Sequence, residues 1–484
     1  MGDNLKGKML AALKWSSVDR FGQQAVQFVI GIILARLLTP DDFGLLGLVM
    51  IFAALSFVLV ESGFGQALIR KEETTELDYN SVFYTNVVVS IILYVALFFL
   101  LPFISIFFNE PSLTSIGRVL FFAVIFNGLY LVPYSKLGKV MDFKTIAKVN
   151  LMSSALSGTV GVVFAILNFN VWALVFQQVS FHFFRMILFY VFVKWKPKLI
   201  YSFRVIKEFW SFSVHLLGTG VLNVIFNYLY ILILGKFYPK SEVGYYSQAN
   251  KLNETFNFSF QAILVGSTYS LFSSIQNDEE RFRRVFREIA KKTSLVTFPI
   301  MLVLVAVSEP FIITLLSEKW HSAILYFQLL GIASLFSPIY TLNMNALNSR
   351  GKSKATFQIE FIKKALIVIS VLVCFQYGIP MMLIGYIFAC FTSYLVSVFY
   401  LKKHSNHYVK HQLFDILPNL ILGVTLGLIA FSFSFLISNY YLLLATQGTT
   451  VLVLYISYIY KTHNDLYLKS IDIISQYLKK LRKN

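Results

Sequence analysis

The sequence is poor in charge and almost without cysteine. Only 14% of its 484 residues are Asp, Glu, Lys or Arg, against about a quarter in soluble domains. That scarcity excludes an ordinary water-exposed surface and points to a chain dissolved in lipid. The two cysteines, Cys374 and Cys390, both lie in apolar stretches, which excludes a disulfide framework and a thiolate metal site. Catalytic motifs are missing too. Gly351-Lys352-Ser353 lacks the upstream glycine of a Walker A loop, and neither an HExxH motif nor a Gly-x-Ser-x-Gly elbow occurs. No enzyme chemistry and no cofactor is implied, so transport would draw on an ion gradient or on the substrate's own gradient. No cleavable signal is expected either: the first apolar block carries Asp19 and Arg20 near its start, and no small-residue cleavage site follows.

What is present is hydrophobicity in blocks. Hydrophobic residues make up 57% of the chain and cluster in runs of about 20 to 25, enough to cross about 30 Å of hydrocarbon as a helix. The expected spans are 16–38, 43–65, 82–107, 116–137, 146–167, 171–193, 211–235, 244–270, 294–316, 323–345, 357–377, 379–401, 416–437 and 440–460. The eleventh has the shortest apolar stretch, because Glu360, Lys363 and Lys364 intrude. The fold class is therefore all-α and polytopic, with about fourteen transmembrane helices.

The net charge of +18 does not signal nucleic acid. Its basic residues sit in short loops, in clusters such as Lys194, Lys196, Lys198, Arg204 and Lys207. Alternate loops hold only Arg36, Arg118, Lys236, Lys240 and Lys319. The positive-inside rule then places both chain ends in the cytoplasm. Two basic segments have helical apolar stripes. One is 281–292, with Phe282, Val285, Phe286 and Ile289; the other is the tail, with Tyr467, Ile471, Ile474, Leu478 and Leu481. Both are expected to lie as helices on the inner leaflet. Asp41-Asp42, in an outside turn, has the ordinary reading of a helix N-cap.

The chain also reads as duplicated at a separation of about 200 residues. Trp15-Ser16 matches Trp210-Ser211, Pro40 with Phe43-Gly44 matches Pro239 with Val243-Gly244, and Pro133 matches Pro338. The run from Pro102 to Glu110 matches that from Pro310 to Glu318. Two six-helix repeats of like orientation would form lobes at 1–200 and 201–405, followed by a helix pair and basic tail at 406–484. Two such lobes around a central cleft suit alternating access.

Charged groups at mid-bilayer cost about 2.5–3.5 kcal/mol on insertion scales, so intramembrane ones need a reason. Arg20, Gln23 and Gln27 form a stripe on the first span, with Asp19 beside them. His215, Thr219, Asn223 and Asn227 form one on the seventh. Asn250, Glu254, Asn257 and Gln261, with Lys251 alongside, form one on the eighth. Glu61 ends the second span, and Gln178, His182 and Arg185 share a face of the sixth. These residues are candidates to line a substrate cavity, with Asp19, Glu61 and Glu254 as candidates for ion coupling. The competing reading is local: Asp19 with Arg20, and Lys251 with Glu254, would neutralise each other as structural pairs.

Several of these stretches resemble a known family. Trp15, the run from Gly31 to Gly44, Glu61-Ser-Gly-Phe-Gly-Gln-Ala-Leu-Ile69, Asn80-Ser-Val-Phe83 and Phe107-Phe-Asn-Glu-Pro111 are similar to the Wzx-type polysaccharide-transporter flippases of bacteria. These belong to the multidrug/oligosaccharidyl-lipid/polysaccharide (MOP) superfamily, with the lipid II flippases and the multidrug and toxin extruders. The resemblance implies passage of an undecaprenyl-pyrophosphate-linked oligosaccharide across the bacterial inner membrane, for surface polysaccharide synthesis. It implies cationic cavity residues, for which Arg20 and Lys251 stand in suitable places, and contact with polysaccharide polymerase machinery. Asp19, Glu61 and Glu254 nearly balance those cations and would instead suit a coupling proton or sodium ion. The alternative function is ion-coupled export of small cationic or amphipathic compounds, leaning on Glu254 and Asp19.

Overall fold

Threonine and aspartate start the apolar blocks. Thr39 caps the helix Pro40–Glu61, accepting from the Asp42 amide, while the Asp42 carboxylate accepts from the Thr39 amide at 2.9 Å and its hydroxyl at 2.7 Å. Thr75 and Asp78 repeat this capping box at Glu76–Phe108. Such reciprocal caps satisfy amides that a helix start otherwise leaves bare.

The computed structural model describes residues 2–405 and 409–462; the side chains of 2–10, 258–260, 262–267 and 404–410 lie outside that description, as does the basic tail stripe from Tyr467 to Leu481. Among the described residues there are no strands, and the chain forms two compact units, Met1–Lys251 and Leu252–Asn484. The first contains α1 (Gly2–Leu37), α2 (Pro40–Glu61), α3 (Phe64–Arg70), α4 (Glu76–Phe108), α5 (Leu113–Leu120), α6 (Phe122–Lys139), α7 (Phe143–Ile166), α8 (Val171–Val193), α9 (Phe203–Asn227), α10 (Leu229–Phe237) and the start of α11 (Lys240–Ser274). The second continues with α12 (Glu279–Ala306), α13 (Ser308–Leu316), α14 (Ala323–Ser334), α15 (Ser337–Ser349), α16 (Ser353–Cys374), α17 (Ile379–Ser405), α18 (Val409–Ser432) and α19 (Tyr440–Thr462).

Eleven helical segments among the described residues are long and apolar enough to cross a membrane. The other long helices are α1, α11 and α16, with 36, 35 and 22 residues. Polar side chains dilute their apolar stretches: Arg20 and the Gln23, Gln24 and Gln27 amides in α1, Lys251 and Glu254 in α11, and Glu360, Lys363 and Lys364 in α16. These are the expected first, eighth and eleventh spans.

In the first unit, close approach depends on small residues. A Cβ on Gly158 of α7 would lie 1.8 Å from Ile30 of α1. The segment between α8 and α9 is pinned to the start of α4, where Asn80 accepts from the Lys198 amide at 2.5 Å and Ser81 from the Ser202 amide at 2.9 Å. Trp195 donates to Glu76 at 3.1 Å. Nearby, Lys71 contacts Asp78 at 3.0 Å and Glu208 at 3.6 Å; against the cost of burial, these carboxylates hold its ammonium above the ordinary lysine value. This pinning gives Asn80-Ser-Val-Phe83 a structural task. The same ties, and the packing of α9 on α2, α3 and α4, explain why the compact unit runs on to Lys251.

In the second unit, the basic stretch 281–292 is the first half of α12 and not a leaflet-surface helix. Phe282 and Phe286 are buried with Phe272, Tyr340 and Leu347 in a protein core, so its apolar stripe is satisfied by packing instead of lipid. Arg287 forks onto Asp415 of α18 at 2.6 and 2.8 Å, and Lys291 adds a contact at 3.1 Å. The cations are partly exposed, so Asp415→Ala should cost less than breaking a fully buried pair. A loss on the order of 2 kcal/mol is expected, read as a lower unfolding temperature in detergent. An unchanged melt would show the fork to be an idle surface pair.

Candidate functional site: two polar cavities

Six helices surround the first cavity, with Ile231 supplied by α10. Gln27 and Gly31 come from α1, Gly47 from α2, Ser154 from α7, Gln178 and His182 from α8, and Ser247, Gln248 and Lys251 from α11, enclosing about 360 Å³. Lys251 is open to this space. Its ammonium lies beside the bare backbone of Gly31 in α1, where a Cβ would sit a close 3.3 Å from Nζ. Buried polar atoms of Ser154, Ser247 and Gln248 have no protein hydrogen-bond partner, so the wall is polar beneath its surface as well as at it.

The second cavity, about 430 Å³, is lined by Glu61 of α2, Gln66 of α3, Tyr130 and Tyr134 of α6, and Arg185 of α8. The helix breaks at Ser62 and Gly63, both at positive φ (44° and 74°), ending α2 directly after Glu61 before α3 begins at Phe64. This is the physical content of the Glu61-Ser-Gly motif, since glycine tolerates that backbone best. Arg185 donates to the Tyr130 hydroxyl at 3.0 Å, and that hydroxyl lies 3.2 Å from Nδ1 of His182. His182 stacks on Phe57 with ring centres 4.6 Å apart. The Tyr130–His182 contact stands between the two cavities, since His182 lines the first and Tyr130 the second.

The sequence candidates thus separate. Gln27, Lys251, Gln178 and His182 line the first cavity, and Glu61 and Arg185 the second. Asp19 does not pair with Arg20: its carboxylate accepts from Asn150 of α7 at 3.0 and 3.1 Å and from Gln23 at 2.8 Å. Arg20 is exposed on α1 and lines neither of the two cavities. On α9, His215, Thr219, Asn223 and Asn227 form an exposed stripe; His215 and Thr219 bond to carbonyls one turn back, at 3.0 Å each. On α11, Glu254 is exposed and Asn250 half-buried. Asn257 has a buried Oδ1 without a partner, and Gln261 donates to Ser337 of α15 at 3.1 Å. Sequence reasoning missed Gln66, Tyr130, Tyr134 and Gln248. Gln66 lies inside a quoted motif, whereas a tyrosine among so many apolar aromatics gives no signal of its own.

An all-helical, multi-pass membrane protein with polar cavities among its helices has the build of a transporter. The family model described as "Polysaccharide biosynthesis protein" matches residues 33–325, and the chain belongs to that family. Among curated relatives, the teichuronic acid biosynthesis protein TuaB of Bacillus subtilis (strain 168) is 22% identical over 352 residues, covering 72% of this chain and 73% of that protein. The lipopolysaccharide biosynthesis protein WzxC of Escherichia coli (strain K12) is 23% identical over 452 residues, covering 88% and 89%. Among solved structures, the lipid II flippase MurJ in an inward closed conformation superposes with a TM-score of 0.74 at 17% identity, covering 93% of this chain and 99% of that one. An inward-facing MATE-family transporter of the MOP superfamily gives 0.59 at 14% identity, covering 79% and 96%. At these identities the structures show a shared fold.

Proposed function

We propose that this protein is a flippase that carries a lipid-linked oligosaccharide across the bacterial inner membrane by alternating access, its ends in the cytoplasm. The observation that carries the reading is the Lys251 ammonium set into a polar cavity opposite a bare Gly31. A cation so placed suits the pyrophosphate that joins glycan to lipid, while the sugars travel in the hydrated cavity and the tail stays in the bilayer. Membership of a polysaccharide family and the fold shared with a lipid II flippase support this. So does the crossing of α2 with α11, where the matched residues Gly44 and Gly244 each face the other helix's first turn, as a twofold plan of two six-helix repeats would arrange.

The test is export in a strain lacking the chromosomal gene. Complementation should restore surface glycan, and lipid-linked precursor should accumulate without it. Arg20→Ala should lower export by about tenfold, the worth of one charged hydrogen bond, at unchanged protein level. Full export by that variant would remove Arg20 from the transport path. If the gene restores drug resistance in a pump-deficient host but leaves glycan unchanged, the ion-coupled exporter reading replaces this one.

A further inference from the structure

The second cavity has a composition that selects its ligand. Beside the Arg185–Tyr130 hydrogen bond, three of its polar groups are unspent: among the described residues, Glu61, Gln66 and the Tyr134 hydroxyl make no hydrogen bond or ion pair. Arg185 is the opposite charge felt by Glu61, but the two stand beyond ion-pair contact. A phosphate or other anion here would meet the Glu61 carboxylate, and a cation would meet the Arg185 guanidinium. Either would bring a like charge close in a confined space, which disfavours both. A neutral ligand that donates and accepts through several hydroxyls suffers neither conflict. It would also satisfy a carboxylate, an amide, a phenol and a guanidinium together. Tyr130 and Tyr134 add aromatic walls with polar tips, which suit a molecule having both C–H faces and hydroxyl edges. A volume of about 430 Å³ is that of a small-molecule site.

We infer that the second cavity is a sugar subsite that holds an uncharged residue of the glycan while the lipid-linked pyrophosphate occupies the first. Glu61 and Gln66 bind hydroxyls, Tyr134 packs on the ring and adds its own hydroxyl, and Arg185 supplies the positive edge of the site. Tyr130 and His182 form the wall between the two subsites. The inference rests on the flippase reading and assigns it a glycan-recognising part.

The experiment measures binding to purified full-length protein of two probes. One is undecaprenyl pyrophosphate without sugar. The other is the lipid-linked oligosaccharide extracted from the cell that encodes the protein. Wild type should prefer the glycolipid by about tenfold or more, and Glu61→Gln with Tyr134→Ala should reduce that preference to within about twofold while keeping affinity for the bare lipid. Tyr134→Phe, which keeps the ring, should lose only part of it and shows that the effect is not misfolding. Equal binding of both probes by wild type, or undiminished preference in the double variant, overturns the subsite and leaves the flippase reading standing. Failure of wild type to bind either probe overturns both.

Discussion

Lys251→Met should lower glycan export by about tenfold to a hundredfold, the range set by losing a charge-assisted hydrogen bond of about 1.5–3 kcal/mol. Methionine keeps the length and apolar stem of the side chain and deletes only the ammonium, so the packing of α11 beside α1 is little disturbed. The loss should be confined to substrates with a charged linkage. It should show in surface-glycan gels at equal protein level, with lipid-linked precursor accumulating behind the block. Lys251→Arg keeps the charge but brings a bulkier head to the place where Gly31 leaves room, so partial export is expected. If Lys251→Met exports normally, the first cavity is not where the pyrophosphate binds, however suitable its walls.

The sequence carried some of this structure and hid the rest, for reasons that can be named. Helices were legible because lipid enforces long apolar runs. The crossing number was harder: α1, α11 and α16 carry polar residues, and hydropathy cannot distinguish a polar helix facing protein or a cavity from one that does not span. The stretch 281–292 was misjudged for a related reason. An apolar stripe beside basic residues looks the same whether lipid or protein covers it, and here Phe282 and Phe286 are covered by protein. Lys251, Gln27 and Glu61 were visible as costly polar intrusions. Asp19 looked like a partner for Arg20 because the two are adjacent, yet adjacent residues on a helix point in different directions. Its actual partner, Asn150, lies 131 positions away. Tyr134 and Gln66 became candidates only when folding brought them to the rim shared by Glu61 and Arg185.

Gly44→Leu should abolish export, and the reason lies in a contact that only backbone can make. A Cβ on Gly44 would fall 1.9 Å from the carbonyl oxygen of Lys240, and a Cβ on Gly244 would fall 1.9 Å from that of Pro40. The first turns of α2 and α11 therefore rest backbone to backbone, beside the ion pair of Lys240 with Glu110 at 3.2 Å. Under the transport reading this crossing lies at the outside face and seals the first cavity from above. Alternating access requires it to open and close again, and a leucine prevents the closed arrangement, shifting the population towards outward-open forms. With Cys374 and Cys390 replaced by serine, a reporter at Ser247→Cys should react slowly with an impermeant maleimide added outside in the parent. Reaction should be many times faster with Gly44→Leu. Gly244→Leu should behave alike, because the two glycines occupy equivalent places in one crossing, and Gly44→Ala should fall between. Normal export together with unchanged labelling in Gly44→Leu would mean that the crossing is not a moving seal. A defect in only one of the two leucine variants would argue against the twofold plan from which their equivalence follows.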